Sequence, residues 1–187
     1  MFRPGKGSVQ RNDQKVGKLE QRPSVAQPAT GARARYILQV DTSADFVDTN
    51  ILVYANLAAS PLHVLATERL SALDGQTTEL WVSRQIMREY LAAMTRPDVV
   101  TATIPIASLT SDVRYFATRF LVAEEEPAVT EWLLRLVERV PVTGRQIHDA
   151  NIVATMQAWG IRRLLTHNAA DFARFAQFVD VLPRVTQ

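Results

Sequence analysis

From residue 44 onward the chain alternates between short apolar runs and longer segments with helical spacing, and this alternation restricts its fold more than any other feature. Phe46-Val47 leads into Asp48, Leu80-Trp81-Val82 leads into Ser83, and Arg163-Leu164-Leu165-Thr166 and Phe178-Val179-Asp180-Val181 follow late in the chain. Runs this short and this apolar suit strands buried on both faces. Between them lie Ile51-Leu52-Val53-Tyr54-Ala55, a segment with Leu62, Leu65, Ala66, Leu70 and Leu73 at helical spacing, and a helix from Ser83 to Met94. Further helices are predicted over Ile106 to Phe120, Pro127 to Val140 and Ile147 to Trp159. Pro61 fits the first turn of the second helix and Gly75 its end. Ser83 suits an N-cap, Pro97 closes the helix it opens, and Gly160 ends the last one. Strands alternating with helices predict an α/β fold, a parallel sheet covered on both sides.

Residues 1–43 follow different rules. Gly5, Gly7, Gly17, Gly31, Pro4, Pro23 and Pro28 sit among polar and basic residues without strand or helix periodicity, so this stretch reads as a disordered tail. The folded body is then expected over 44–187, one domain by length. The net charge of +2 conceals an asymmetry. Residues 1–40 hold 8 Lys/Arg and 2 Asp/Glu, whereas residues 41–187 hold 13 and 17. The basic pI belongs to the tail, and the body is acidic. A nucleic-acid enzyme can tolerate an acidic body if metal ions neutralise its centre and scattered arginines hold phosphates. The tail itself reads as an RNA-binding arm, an unstructured leader, or the product of a start chosen too far upstream; the next methionine is Met87, so a shorter product needs another start codon, such as Val40.

Cysteine is absent, which removes disulfides, thiolate zinc sites and cysteine nucleophiles together. No apolar run approaches the roughly 18 residues that span a bilayer, and no signal-peptide core is present. A soluble cytoplasmic protein is the expectation. The seven glycines form neither a dinucleotide fingerprint nor a P-loop, and no nucleophile elbow is present. Asp45 and Asp48 are one residue too far apart for a phosphatase aspartate pair, and His63, His148 and His167 lack zinc-helix spacing. Trp81, Trp132 and Trp159 fall within apolar patterns and read as core.

Four carboxylates remain, each at a strand end or near a helix start. Asp48 lies where sites collect in parallel sheets, beyond the carboxyl end of a strand, and equally where a helix N-cap belongs. Glu89 shares a helix face with Gln85, and taken alone it also fits an exposed helical glutamate. Asp149 sits in a first helical turn, where the dipole favours an acid regardless of function. Asp171 follows Asn168 by three residues and resembles a capping box. His148 reads as a surface histidine, and the run Glu124-Glu125-Glu126 as a solvated helix start. Carboxylates gathered by a fold repel one another unless a cation stands between them. Hard oxygen donors suit Mg²⁺ or Mn²⁺, which points to metal-dependent phosphodiester chemistry.

The contexts of these acids, in this order, carry a resemblance. Phe46-Val47-Asp48-Thr49-Asn50-Ile51-Leu52-Val53-Tyr54-Ala55 resembles the opening of a PIN domain, and Val82-Ser83-Arg84-Gln85-Ile86-Met87-Arg88-Glu89-Tyr90 its second acidic block. Ile147-His148-Asp149-Ala150-Asn151-Ile152-Val153-Ala154, then Leu164-Leu165-Thr166-His167-Asn168 and Asp171-Phe172, resemble its third and fourth. The match covers about residues 45–185, and a single domain of this size is similar to the VapC-type toxins of bacterial toxin–antitoxin pairs. The resemblance implies a three-layer fold with a five-stranded parallel sheet and a Mg²⁺- or Mn²⁺-dependent endoribonuclease. It further implies that Asp48 and Asp149 hold the metal, with Glu89 and Asp171 acting on a second ion or its waters. Thr49 and Asn50 match residues that support the first aspartate, and Asn168 competes with Asp171 for the fourth position. RNA is the implied substrate, a cognate antitoxin the implied partner, and a homodimer the implied assembly. Arg84, Arg88 and Arg145 are candidates to hold flanking phosphates.

Overall fold

The computed structural model describes residues 44–74, 78–97 and 104–182. The expected disordered tail over 1–43 and the helix stop at Gly75 therefore lie outside the described residues. Within them the chain runs β1 (Ala44–Val47), α1 (Thr49–Asn56), α2 (His63–Asp74), β2 (Glu79–Ser83), α3 (Arg84–Met94), α4 (Ile106–Arg119) and β3 (Leu121–Ala123). It continues as α5 (Pro127–Arg139), α6 (Gln146–Ala158), β4 (Arg163–Leu165), α7 (Ala169–Phe172), a 3-10 turn (Ala173–Phe175) and β5 (Asp180–Val181). All five strands are parallel, in the order β3-β2-β1-β4-β5. No helix among the described residues is long and apolar enough to cross a membrane.

Ala44, Asp45, Phe46 and Val47 are all buried. Successive strand residues point to opposite faces, so four buried in a row means helices cover both sides of β1. The expected three-layer α/β arrangement is therefore present. From β1 the chain adds β2 and β3 on one side, then returns to add β4 and β5 on the other. That reversal opens a crevice beyond the carboxyl ends of β1 and β4. The registers are specific: Val47 pairs with Leu165, Phe46 with Trp81, and the Asp48 amide donates to the Leu165 carbonyl at 3.0 Å. Asp48 and Thr166, each the first residue past its paired strand, are thus set side by side.

Helix α3 is oriented by its apolar face. Ile86, Met87, Tyr90 and Met94 are buried, and full burial of one such side chain contributes about 1.5–3 kcal/mol. Tyr90 packs edge-on against Phe116 of α4, with ring centroids 4.9 Å apart, and its hydroxyl donates to Asp112 at 2.7 Å. With that face committed to the core, Gln85 and Glu89 turn toward the crevice.

The structure departs from the sequence pattern in three places. Strand β3 was not among the apolar runs, because Leu121-Val122-Ala123 follows α4 directly and lies at the sheet edge with Leu121 42% exposed. Strand β5 keeps only Asp180 and Val181 of the expected four; Phe178 and Val179 instead close a turn onto the Phe175 carbonyl. Pro61 precedes α2 rather than opening it, in a turn held by Ser60, whose hydroxyl accepts from the Leu62 amide and whose carbonyl accepts from the His63 amide. Trp81 is core as expected, 5.5 Å from Trp159 centroid to centroid.

Asp45 is fully buried and pairs in register with Arg163 on β4. Arg163 Nη2 donates to Oδ2 at 3.2 Å, and Nε stands 2.8 Å from Oδ1. Burial pushes the Asp45 carboxyl above its usual range, and the charges of Arg163 and then Arg69 pull it back. Removing the nearer cation by Arg163→Met strands a buried carboxylate and should cost about 3 kcal/mol in urea unfolding near neutral pH. Asp45 then titrates higher in the folded than in the unfolded protein, so that cost should shrink as pH falls toward about 5. A loss that grows on acidification would contradict the pairing.

Candidate active site

Asp48 does two things at once. It caps α1, its Oδ1 accepting from the Thr49 amide at 2.6 Å, and it stands at the crevice between β1 and β4. Oδ2 accepts from Asn50 Nδ2 at 2.5 Å and from the Thr166 hydroxyl at 2.6 Å. Asn50 is braced in turn, donating to Thr166 Oγ1 at 3.0 Å and accepting from the His167 amide at 2.9 Å. Three donors occupy three of the roughly four lone-pair directions of a carboxylate, which leaves about one for an outside partner. Asp48 is thus the N-cap of α1, and both Thr49 and Asn50 hydrogen-bond its carboxylate.

Glu89 is joined to Asp48 through Thr49, whose hydroxyl donates to Glu89 Oε2 at 2.8 Å. Its other oxygen accepts from Gln85 Nε2 at 2.6 Å. The same Gln85 nitrogen donates to the His148 carbonyl at 3.0 Å, and Gln85 Oε1 accepts from Asn151 Nδ2 at 2.6 Å. This amide chain ties α3 to the first turns of α6, which carry Asp149. His148 is 70% exposed as expected, although its Nδ1 lies 3.9 Å from Glu89 Oε1.

The electrostatics show that the carboxylates share one field. Burial pushes the Asp48 carboxyl up to about 6; hydrogen bonds from Thr166 and Thr49 oppose this, while the charges of Glu89 and Asp149 add to it. Asp149 is also pushed up to about 6, by burial first, then by the charges of Asp171 and Glu89, with Arg174 and His148 pulling the other way. The sequence-predicted acids Asp48, Glu89, Asp149 and Asp171 are thus brought together from four separate elements. Among the described residues, no three acidic or histidine side chains form a ready-made metal cage. Small hard cations keep several waters and take one or two carboxylates, fewer donors than such a cage supplies. The donor set, all oxygen and short of positive charge, fits Mg²⁺ or Mn²⁺.

Several expectations are corrected. Asn168 is the residue before α7, but its side chain makes no capping bond, and α7 is only four residues long, so no capping box forms with Asp171. What this segment does contribute is backbone, the Asn168 amide donating to Thr166 Oγ1 at 3.1 Å. Arg84 and Arg88 do not stand ready for phosphates: Arg84 grips Glu124 through two hydrogen bonds, and Arg88 pairs with Glu125. The glutamate run is therefore partly an arginine clamp rather than a solvated helix start alone. The arginine whose charge reaches Asp149 is Arg174, which no local pattern singles out. Thr166 and Asn151 were missed as well. Thr166 had a usable signal, as the first polar residue after an apolar strand; Asn151 had none, since i+2 on a helix does not share a face with Asp149.

A family model for the PIN domain matches residues 46–177. Ribonuclease VapC48 of Mycobacterium tuberculosis is 29% identical over 133 residues, covering 68% of this chain and 89% of the relative. Among solved structures, the M. tuberculosis toxin VapC20, described as cleaving the sarcin–ricin loop, superimposes with TM-score 0.58 at 18% identity, over 74% of this chain and 99% of that one. VapBC-1 from nontypeable Haemophilus influenzae gives 0.55 at 16% identity, over 76% and 99%. Likenesses at these identities speak to the fold.

The raised carboxyls have a consequence for stability. An acid whose folded pKa lies above its unfolded value withdraws stability as pH rises through the interval between them, here about 4 to 6. Asp149→Asn should therefore stabilise the metal-free protein at neutral pH by about 1 kcal/mol, a figure already reduced because the group is half exposed. Urea titrations on either side of that interval test this; an amide variant less stable than the parent at neutral pH would contradict it.

Proposed function

This chain belongs to the PIN domain family, and on that premise we propose that it is a divalent-metal-dependent endoribonuclease acting as the toxin of a toxin–antitoxin pair in the cytoplasm. The observation that carries the reading is the convergence of Asp48, Glu89, Asp149 and Asp171 on one field at the carboxyl edge of the sheet. A fold gains nothing in stability from gathering these charges, and a cation bound among them removes the cost. The relative named as a ribonuclease supports the activity, and neighbours described as VapBC assemblies support an antitoxin partner.

When bound, Mg²⁺ or Mn²⁺ supplies Lewis acidity, acidifying water and neutralising phosphate charge. In this reading Asp48 and Asp149 hold the ion, and Asp48 is kept in place by Thr49, Asn50 and Thr166. Glu89 and Asp171 orient water or a second ion, with Asn168 the alternative at the fourth position. Arg174 and Arg145 hold the flanking phosphates. Water attacks phosphorus, the bond from phosphorus to the 3′ oxygen breaks, and that oxygen departs with a proton. The products are a 5′-phosphate and a 3′-hydroxyl. The antitoxin inserts a basic or aromatic segment toward the acidic cleft lined by Glu125, Glu126 and Glu131 beside Asn151.

With Mg²⁺ or Mn²⁺ present, the purified protein should cleave RNA to those ends, and Asp48→Asn should lose at least about a hundredfold in rate while keeping its circular dichroism spectrum. An Asp48→Asn protein as fast as the parent would end the assignment. Expression should arrest growth, and co-expression of a neighbouring gene whose product co-purifies should relieve it. Metal-dependent cleavage without relievable arrest identifies an RNA-processing nuclease instead, and no cleavage at all a protein-interaction module.

A further inference from the structure

The amide of Gln85 is almost fully buried and uses both of its donors and its carbonyl oxygen within the site. Nε2 donates to Glu89 Oε1 at 2.6 Å and to the His148 carbonyl at 3.0 Å, while Oε1 accepts from Asn151 Nδ2 at 2.6 Å. This pattern fixes the amide's orientation: reversed, it would set an oxygen against a carboxylate and a carbonyl, and two NH₂ groups against each other. Its partners are also chosen by position. Glu89 lies one turn along α3 on the same face, whereas His148 and Asn151 bracket Asp149 on α6. A single buried side chain therefore spans from one acidic residue to the backbone that carries another.

Besides this amide, His148 Nδ1 approaches Glu89 Oε1 across the gap at 3.9 Å, too long for a hydrogen bond. Thr49 ties Glu89 to Asp48, and Thr166 and Asn50 hold Asp48, but none of these three bonds reaches α6. The charges of Glu89 and Asp149 meanwhile push the two residues apart. We propose that Gln85, oriented by Asn151, is a positioning residue that sets the separation of Glu89 and Asp149 and thereby the site's affinity for a divalent cation. The inference rests on the nuclease reading. It asks neither residue to touch substrate or metal.

The test uses full-length protein and Mn²⁺ as probe, with binding measured by calorimetry and cleavage measured across a Mn²⁺ titration. Gln85→Met keeps length and volume but makes no hydrogen bond; Asn151→Leu leaves Gln85 in place but removes its orienting donor from a half-exposed position. Loss of a partner that orients a metal-binding group costs about tenfold to a hundredfold in metal affinity. Both variants should weaken Mn²⁺ binding within that range, with the cleavage rate at saturating Mn²⁺ recovering to within a few-fold of the parent. The double variant should be little weaker than either single one, because the two residues form one chain. If Gln85→Met fails to fold, Asn151→Leu alone carries the measurement. Folded variants that bind Mn²⁺ like the parent, or that lose maximal rate with affinity unchanged, overturn the positioning role. A parent that neither binds Mn²⁺ nor cleaves RNA overturns the nuclease reading, and the inference with it.

Discussion

The Asp48 amide donates to the Leu165 carbonyl, joining two segments from opposite ends of the folded body, and the placement of the site follows from this pairing. Parallel strands need long crossovers, so β1 and β4 meet only after six intervening helices and two strands have been laid down. Once they pair in register, Thr166 must stand beside Asp48, and the amides of His167 and Asn168 fall onto Asn50 and Thr166. A slip of one residue would turn these side chains to the opposite face. On the other flank, the register of β1 with β2 fixes where α3 begins and hence where Glu89 lies.

Two buried aspartates, one on β1 and one just past its end, show how environment divides their roles. Asp45 and Asp48 are three residues apart and so face opposite sides. Asp45 finds Arg163 in register and Arg69 beyond it, an ion pair completed within the protein. Asp48 finds only neutral donors, with Glu89 and Asp149 as its nearest charges. Neutral donors hold a carboxylate in place without cancelling its charge, so the charge of Asp45 is balanced within the protein and that of Asp48 is not. The arginines obey the same division: Arg84 and Arg88 balance Glu124 and Glu125 on the rim, while Arg174 reaches toward Asp149.

Much of this was legible beforehand because it depends on local chemistry. The apolar runs at 46–47, 80–82 and 163–166 became strands since their composition admits burial on both faces, and Ser83 caps α3 as its side chain allows, accepting from the Ile86 amide at 3.3 Å. Strand β3 was illegible because three residues at a sheet edge carry no period of their own. The capping box at Asn168 does not form: a four-residue helix has little to cap, the Asn168 side chain makes no capping bond, and the Asn168 amide donates to Thr166. Asn151 was invisible because its importance comes from Gln85 on another helix, and no spacing along the chain records that.

Taken alone, the order of residues determined the α/β class and most core positions and singled out four carboxylates as candidates, because periodicity and strand-end placement are properties of neighbours in the chain. Only the tertiary structure decided which aspartate is neutralised and which is not, which arginines are already engaged, and which amides brace the acids. Those outcomes depend on distances between segments far apart in sequence, and hydrogen bonds and charge interactions are set by distance in space.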